Sequence, residues 1–522
     1  MTGNLKKIKD SKFLFFVVLF SAAFNFSFLE YNNYLIRKNN PENIERNAKS
    51  LVYGQTVFSV DNDYYLSPVD NFLEGKGWKR GTVESNGEYY RRVPGYSIVY
   101  LFFTAIFEKP TAFLVLKIFQ FFLFLSTIPA IYYLSSQVSG KPVSRLLTIG
   151  YAILPFISSW TYYTLTESIS PALVVFYFFF LFKALNSVWE KQKLKYYLLA
   201  SAFFSFAVLT RPYIAVTGLA ILLFTYHDFI STKVKKGFLF FSSIWILPFL
   251  LIGSWTLRNY ILTKEFVPFE KAFHPQSIDR MKPEFRGLFS FVKCWGEDGF
   301  NLTAYHEPLY WAAIAGDTSS KYVINILNAW PEKIIREYAF DRLFGILKEH
   351  QELIYSFRSF IKSNKPMPDQ YLPEQISMEG KYNGLIREYK RKHVFSYWVV
   401  TPLIYLKRMV LHSHTANLYF FQDQNREKTQ VNLYRNFLLL VHISIYMCLV
   451  LNFLMMRGWT NRLVFIFIPL TFIVFFTVVH REIEQRYMLP VLPVLIAGAA
   501  GTLERLKIFA ERFKNGLFFK LN

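Results

Sequence analysis

Long apolar segments recur along the chain, and they constrain its fold more than any other feature of the sequence. A helix needs about 20 predominantly apolar residues to cross the hydrocarbon core of a bilayer. Segments of roughly this character occupy 13–30, 111–136, 145–160, 168–185, 196–210, 212–226, 238–256, 433–456, 462–479 and 487–503. The sequence therefore predicts an all-α, polytopic transmembrane helical bundle with about ten spans and additional external helices at the membrane interface.

Composition supports a membrane protein over a set of soluble domains. Hydrophobic residues make up 52% of the chain and charged residues only 18%, too few charges to cover the surface of several soluble domains. The formal net charge of +22 would suit a nucleic-acid-binding protein, but the basic residues form short clusters between the apolar segments. Such clusters are typical of cytoplasmic loops, so we expect no nucleic acid as a partner. The two cysteines lie far apart in the sequence and predict neither a disulfide framework nor a cysteine metal site.

The basic clusters also predict an orientation. If the lysines of residues 6–12 are cytoplasmic, alternation places the clusters at 141–145, 191–195, 233–236, 457–462 and 505–520 on the same side. The N-terminal segment lacks a small-residue cleavage site, so we expect a retained membrane anchor. We divide the chain into a transmembrane region with its first external loop, a large external and partly interfacial region, and a C-terminal region with a basic cytoplasmic tail. Their bounds are 1–260 with loop 31–110, 261–432, and 433–522.

The first external loop carries acids beside aromatic residues. Asp61 and Asp63 are followed directly by Tyr64 and Tyr65. A carboxylate next to aromatic rings suits a general base beside a sugar or cation site. A solvated acidic loop with a glycine-rich turn explains the same residues about equally well.

Further charged residues stand at the predicted outer ends of spans. They are Glu167 in Thr166-Glu167-Ser168, Arg211 before Pro212, Arg258 in Trp255-Thr256-Leu257-Arg258-Asn259-Tyr260, and Arg486 in Glu484-Gln485-Arg486-Tyr487. Each one alone is more often an interfacial cap or an arginine that extends to the membrane surface. Because alternation places them all on one face, we expect acids and arginines to form a single external site.

These motifs, in this order, resemble the GT-C glycosyltransferases. Asp61 with Tyr64-Tyr65, and then Leu73-Glu74-Gly75-Lys76-Gly77, is similar to the first-loop pattern of that superfamily. Arg92-Val93-Pro94-Gly95-Tyr96 resembles its step into the next helix. The similarity is to the branch that includes protein O-mannosyltransferases and the aminoarabinose transferase of lipid A. It covers most of the chain up to Tyr260 and resumes at the last span, while 270–430 matches no pattern.

The resemblance implies an inverting transfer from a polyprenyl-phosphate-linked sugar to a hydroxyl or phosphate of a lipid, glycan or protein acceptor. It implies Asp61 as general base with Asp63 as second candidate, and Glu167 for acceptor orientation, an amino sugar or a metal. Arg258 and Arg486 are the first candidates to bind the donor phosphate, followed by Arg92 and Arg211. Tyr64, Tyr65, Tyr96 and Tyr487 are expected to bind substrate. The residues do not require a divalent metal, although carboxylates suit one; His480 is a candidate ligand, with a capping role favoured over it.

Three alternatives remain open. A flippase or transporter of lipid-linked glycans would place ionisable residues at mid-membrane depth, and almost none are found there. A polymerase or ligase of surface glycans would share the arginines but would not need the Asp61 pattern. A scaffold protein would make the clustered charges a coincidence. We expect a bacterial inner membrane, with the site facing the periplasm or exterior and 270–430 covering it against water.

Overall fold

The structure is a computed structural model in which helices form all the regular elements of the described residues. It describes residues 2–39, 60–81, 86–231, 234–271, 273–274, 281–297, 299–363, 370–411, 418, 428–483 and 485–514. Parts of both predicted external regions, such as 40–59 and 419–427, lie outside the described residues.

The first half of the chain forms the larger part of a membrane bundle. Its α-helices are Thr2–Asn39, Asp63–Leu73, Asn86–Tyr90, Gly95–Thr104, Lys109–Ser135, Lys141–Ile153, Pro155–Ser158, Ser170–Leu185, Glu190–Thr210, Gly218–Ser231 and Val234–Thr263. Short 3-10 helices occupy Val60–Asn62, Ser159–Tyr162, Thr166–Ser168 and Pro212–Thr217.

The second half adds a separate group of short helices and then returns to the bundle. The α-helices are Pro283–Val292, Gly299–Ala315, Lys321–Ala329, Glu332–Tyr338, Phe340–Ser356, Arg358–Lys362, Pro373–Lys392, Thr401–Leu411, Thr429–Met455, Trp459–Arg462, Ile468–Val474 and Leu492–Lys514. Lys293–Trp295 and Gln485–Met488 are 3-10 helices, and Ser396–Val400, Leu463–Phe467 and Phe475–His480 are π-helical.

The helical architecture predicted from the apolar segments is confirmed, but the count of ten spans is not. Seven described helices are long and apolar enough to cross a membrane, or up to eight if one bent pair counts as a span. The predicted spans 196–210, 212–226 and 487–503 fall in helices outside that set. Glu190–Thr210 begins with charged residues, Pro212–Tyr226 is a shorter apolar helix, and Leu492–Lys514 ends in charged residues.

Burial separates the centre of the bundle from its lipid-facing rim. The span Thr166–Leu185 has 72% of its apolar window buried, whereas Phe241–Thr263 has only 17%. Large side chains such as Phe249 and Leu454 are exposed on the rim, where water would make their exposure costly. The chain is thus an integral membrane protein whose outer apolar surface requires lipid.

Residues 281–397 form a helical unit with its own apolar core, which the sequence patterns did not predict. Phe291, Trp295 and Trp330 pack edge to face at the centre of this core, with ring centroids 5.0–5.8 Å apart. The chain then bends by 100° between Pro373–Lys392 and Ser396–Leu411. This last helix buries Tyr405 and exposes Trp398, an amphipathic character that suits the predicted interfacial position.

Candidate active site

Four of the predicted site residues form one continuous chain of ion pairs. Arg486 donates from Nη2 to Asp61 Oδ2 at 2.6 Å, and its Nε lies 3.2 Å from Glu167 Oε1. The guanidinium of Arg211 contacts the same Glu167 oxygen. The order is therefore Asp61, Arg486, Glu167 and Arg211, with acids and arginines alternating.

Breaks in the helices place these four side chains. Asp61 lies in the 3-10 turn before Asp63–Leu73, and Glu167 lies in the 3-10 turn that opens a span. Arg211 directly follows a helix and adopts an extended backbone, since the residue before a proline is disfavoured in the helical region. Arg486 lies in the 3-10 turn before the last helix. Because the helical path stops at these positions, charged side chains from different segments can meet there. Side chains in the middle of a continuous span cannot do so as readily.

The inner end of this chain is buried and its outer end is accessible. Glu167 is 1% exposed and Arg211 9%, whereas Arg486 and Asp61 are 24% and 28% exposed. A buried ion pair needs further hydrogen bonds to offset the loss of water. Thr166 supplies two, since it accepts from Arg211 Nε at 2.6 Å and donates to Glu167 Oε2 at 3.0 Å. Tyr213 accepts a second bond from Arg211 at 2.6 Å.

Three more arginines surround the ring of Tyr64. The guanidinium carbons of Arg80, Arg91 and Arg92 lie 4.1, 5.2 and 5.2 Å from its centroid, within the range of cation–π attraction. Arg80 also pairs with Asp63 at 2.6 Å, and Asp63 is 55% exposed. The two candidate bases thus differ: Asp61 is the partly exposed end of the chain of ion pairs, and Asp63 lies outside that chain and is more exposed.

Polar aromatic residues line the space beside Glu167. Tyr65 packs edge to face against Tyr96 at 5.7 Å, and Tyr96 donates to Gln120 Oε1 at 2.8 Å. Ser168 donates to the same Gln120 oxygen at 2.8 Å. Because Ser168 is adjacent to Glu167 in the chain, this network fixes the turn that carries the buried carboxylate.

Tyr487 packs among aromatic residues next to the hydrogen-bond partner of Arg211. Its ring stacks on Phe476 at 5.0 Å and lies 6.0 Å from Tyr213, the partner of Arg211. All four tyrosines predicted to bind substrate therefore lie near the charged groups.

Comparison with known proteins supports the family suggested by the motifs. Residues 92–255 match the family described as dolichyl-phosphate-mannose-protein mannosyltransferase. Over these residues the match agrees with the resemblance of the motifs to the GT-C membrane glycosyltransferases. The matched region includes Glu167 and Arg211. From outside it, the fold brings Arg486 against Glu167 and Asp61 against Arg486.

Two solved structures are similar to this chain, both of ArnT from Cupriavidus metallidurans. The apo form is 14% identical over 87% of this chain and 76% of that chain, with a TM-score of 0.34. The form bound to undecaprenyl phosphate is 12% identical over 91% of this chain and 80% of that chain, with a TM-score of 0.33. No curated protein sequence matches the chain.

Arg258 occupies a different place from the one that the sequence suggested. Its guanidinium contacts the backbone carbonyls of Trp78 and Tyr89 and lies 4.7 Å from the ring of Trp255. Arg258 therefore holds the first external loop against the end of a span, rather than joining the chain of ion pairs.

Two charged residues near the site were not predicted. Arg80 lies on Tyr64, and Glu270 accepts from Arg92 at 3.1 Å. Arg80 follows the Leu73–Gly77 motif by only three residues, and this closeness in sequence was the one feature that could have pointed to it. Glu270 has no motif, because its approach to Arg92 depends on a fold that joins residues 178 positions apart.

The described residues give no positive indication of a metal site. In the described parts of the chain, no three His, Cys, Asp or Glu residues are grouped so that they could hold a metal ion. His480 instead lies 3.3 Å from Glu482 and stacks on Phe475. Glu484, which the sequence placed in the same cluster, lies outside the described residues.

Proposed function

We propose that the protein transfers a sugar from a polyprenyl-phosphate donor to an acceptor hydroxyl or phosphate, with inversion at the anomeric carbon. The observation that carries this proposal is the chain formed by Asp61, Arg486, Glu167 and Arg211 at the ends of the spans. It combines a carboxylate for proton removal with guanidinium groups that suit a phosphate. The family match to dolichyl-phosphate-mannose-dependent enzymes supports the same class of donor.

In the proposed step, Asp61 acts on the acceptor. Arg486 holds Oδ2 of Asp61, so Oδ1 takes the proton from the acceptor hydroxyl. The acceptor oxygen forms a bond to the anomeric carbon as the bond from that carbon to the phosphate oxygen breaks. The electron pair remains on the departing polyprenyl phosphate.

Arginines stabilise the charge that develops on the leaving phosphate. Arg486 is the main candidate, since it is partly exposed and adjacent to the proposed base. Arg92 is the second, because it lies on Tyr64 beside the same loop. Glu167 is buried between Arg211 and Arg486, so its proposed role is to orient Arg486 toward the donor.

The positively charged clusters between spans favour a site on the external face. Together with the proposed donor they support the inner membrane of a bacterium, with the acceptor arriving from the periplasm or exterior. The acceptor is a lipid, glycan or protein with a hydroxyl or phosphate group.

A transfer assay tests the proposal. Purified protein receives a radiolabelled polyprenyl-phosphate sugar, and the wild type is compared with Asp61→Asn and Asp63→Asn. We expect Asp61→Asn to lower the rate of sugar transfer, and the rate of the slower donor hydrolysis, by about 10²–10⁴-fold, the usual contribution of a general base. Asp63→Asn is the matched control and should retain most of the activity, because Asp63 is exposed and paired with Arg80.

The same assay separates the transferase from its alternatives. Equal turnover by wild type and Asp61→Asn, with unchanged thermal unfolding, would exclude Asp61 as the base. Movement of intact donor across a vesicle membrane without release of the sugar would favour a flippase.

A further inference from the structure

The helical unit formed by residues 281–397 contacts the membrane bundle at residues 480–482. Nζ of Lys293 lies 2.9 Å from Glu482 Oε2 and 3.3 Å from the backbone carbonyl of His480. The side chains of Lys293 and Glu482 are 10% and 18% exposed. Water and salt therefore screen this ion pair less than a surface pair, and it fixes the position of the backbone at 480–482.

Arg481 forms the second half of this contact. Its guanidinium carbon lies 3.3 Å from the ring centroid of Tyr397, and its Nη2 donates to the Tyr397 carbonyl at 2.8 Å. Arg481 has a φ of +54°, in the left-handed region that residues with a Cβ rarely adopt. A strained backbone of this kind persists where neighbouring contacts hold it. We name the contacts of Lys293 and Tyr397 with residues 480–482 the docking contact.

The docking contact lies four residues before Arg486 in the chain. Only three residues lie between Glu482 and Arg486 in the sequence, and Arg486 itself belongs to the short 3-10 helix Gln485–Met488. Arg486 in turn holds Asp61 and Glu167. We therefore expect a change in the backbone at 480–482 to alter the position of the guanidinium that joins the two carboxylates.

We infer that the helical unit positions Arg486 through the docking contact, with Lys293, Arg481 and Glu482 as positioning residues for the transfer step. This inference rests on the proposed function for the role of Arg486 at the donor phosphate. Attachment of the unit to the bundle thereby completes the phosphate-binding side. Displacement of the unit releases residues 480–482 and turns Arg486 away from Asp61.

Binding of undecaprenyl phosphate to the full-length protein in detergent tests the inference. We expect Lys293→Met to weaken binding about tenfold, within the range found for contacting residues. The exchanged pair, Lys293→Glu with Glu482→Lys, should recover most of that loss because it restores an ion pair of opposite direction. Lys321→Met is the control, since Lys321 pairs with Asp317 on the exposed surface of the same unit.

A second variant keeps the backbone and removes the side chain. Arg481→Gly accepts the left-handed conformation but lacks the guanidinium that lies on Tyr397. We expect it to weaken binding as Lys293→Met does, and to lower kcat of sugar transfer more than it changes KM for the acceptor. With kcat expressed per mole of folded protein, a purely structural role would lower the folded yield and leave both kcat and KM at their wild-type values.

Hydrogen exchange makes the test independent of the donor. Amides of residues 485–492 should exchange faster in Lys293→Met than in the wild type, and at the wild-type rate in the exchanged pair. Unchanged exchange, or wild-type binding by Lys293→Met, would overturn the inference. If the wild type itself neither binds undecaprenyl phosphate nor transfers sugar, the proposed function fails. The exchange rates alone then decide whether the docking contact fixes the position of residues 485–492.

Discussion

Arg486 holds Asp61 at 2.6 Å although 425 positions of the chain separate the two residues. The contact joins the first external loop to the turn before the last helix. Because the same guanidinium also lies 3.2 Å from Glu167, the proposed base and the buried carboxylate share one arginine. Formation of the candidate site therefore requires both ends of the chain to be folded together.

The buried carboxylate of Glu167 leads to a prediction about stability. Glu167→Gln removes the charge between Arg211 and Arg486 and leaves a buried guanidinium without its counterion. Loss of one partner of a buried ion pair costs about 3–5 kcal/mol of unfolding free energy. We expect a clearly lower melting temperature in detergent, measured by intrinsic tryptophan fluorescence.

An exposed ion pair provides the control for that measurement. Glu332 pairs with Arg336 on the surface of the helical unit, where both side chains are more than two-thirds exposed. Glu332→Gln should leave the melting temperature nearly unchanged, since exposed pairs contribute about 0–1 kcal/mol. If the two variants melt alike, the ion pairs of Glu167 do not stabilise the protein.

The sequence predicted the local parts of the site but not their full arrangement. Asp61, Glu167, Arg211 and Arg486 each lie at a helix end marked by a turn or proline, and alternation of spans placed them on one face. Arg258 satisfied the same local criteria, yet its guanidinium binds backbone carbonyls of the first loop. Motifs thus identify residues at the membrane surface, whereas the partner of each arginine depends on contacts between distant segments.

The helical unit could not be predicted for a related reason. Its core depends on aromatic residues such as Phe291 and Trp330, which lie on different short helices. Short amphipathic segments of this kind have no span length and no motif to identify them. The ion pair between Lys293 and Glu482 joins residues 189 positions apart, and neither lies in a recognised pattern.

Gly95 provides a test of the close packing behind the Arg92 motif. A Cβ at Gly95 would lie 2.5 Å from the backbone carbonyl oxygen of Leu209, so the helix Gly95–Thr104 or its neighbour would have to move. We expect Gly95→Ala to lower stability by about 1–3 kcal/mol, as overpacking does, and to reduce transfer because Arg92 is displaced. Folded yield and melting temperature measure the first effect.

Gly150 is the matched control for Gly95. It also lies in a helix, but no atom is within 4 Å of the position that its Cβ would occupy. Gly150→Ala should therefore be neutral or slightly stabilising, since alanine favours the helix. Equal behaviour of the two alanine variants would contradict the close approach of Gly95 to Leu209.

Arg258 allows a test between loop support and donor binding. Arg258→Gln removes contacts to the carbonyls of Trp78 and Tyr89. We expect faster proteolytic cleavage within residues 78–90, while binding of undecaprenyl phosphate changes less than in Arg486→Gln. A loss of binding equal to that of Arg486→Gln, with the loop still protected, would show that Arg258 binds the donor as the motif suggested.

The buried carboxyl of Glu284 should make the stability of the helical unit depend on pH. Burial raises the pKa of this carboxyl from 4.5 to about 7, and its Oε2 accepts from Gln375 at 3.1 Å. Between those pH values the folded chain keeps a proton that the unfolded chain has released, so stability falls as pH rises. The shift corresponds to about 3 kcal/mol of unfolding free energy. This contribution is fully lost above pH 7 and fully present below pH 4.5.

Comparison with Glu284→Gln isolates this effect. The variant keeps an oxygen that accepts from Gln375 but has no charge to bury, so it should melt above the wild type at about pH 8 and level with it at about pH 4.5. Burial lowers the pKa of His350 to about 3, which makes acid destabilise the same unit. His350 is present in both proteins, so its contribution cancels when they are compared at one pH. A constant difference in melting temperature across this range would show that Glu284 does not change its protonation on unfolding.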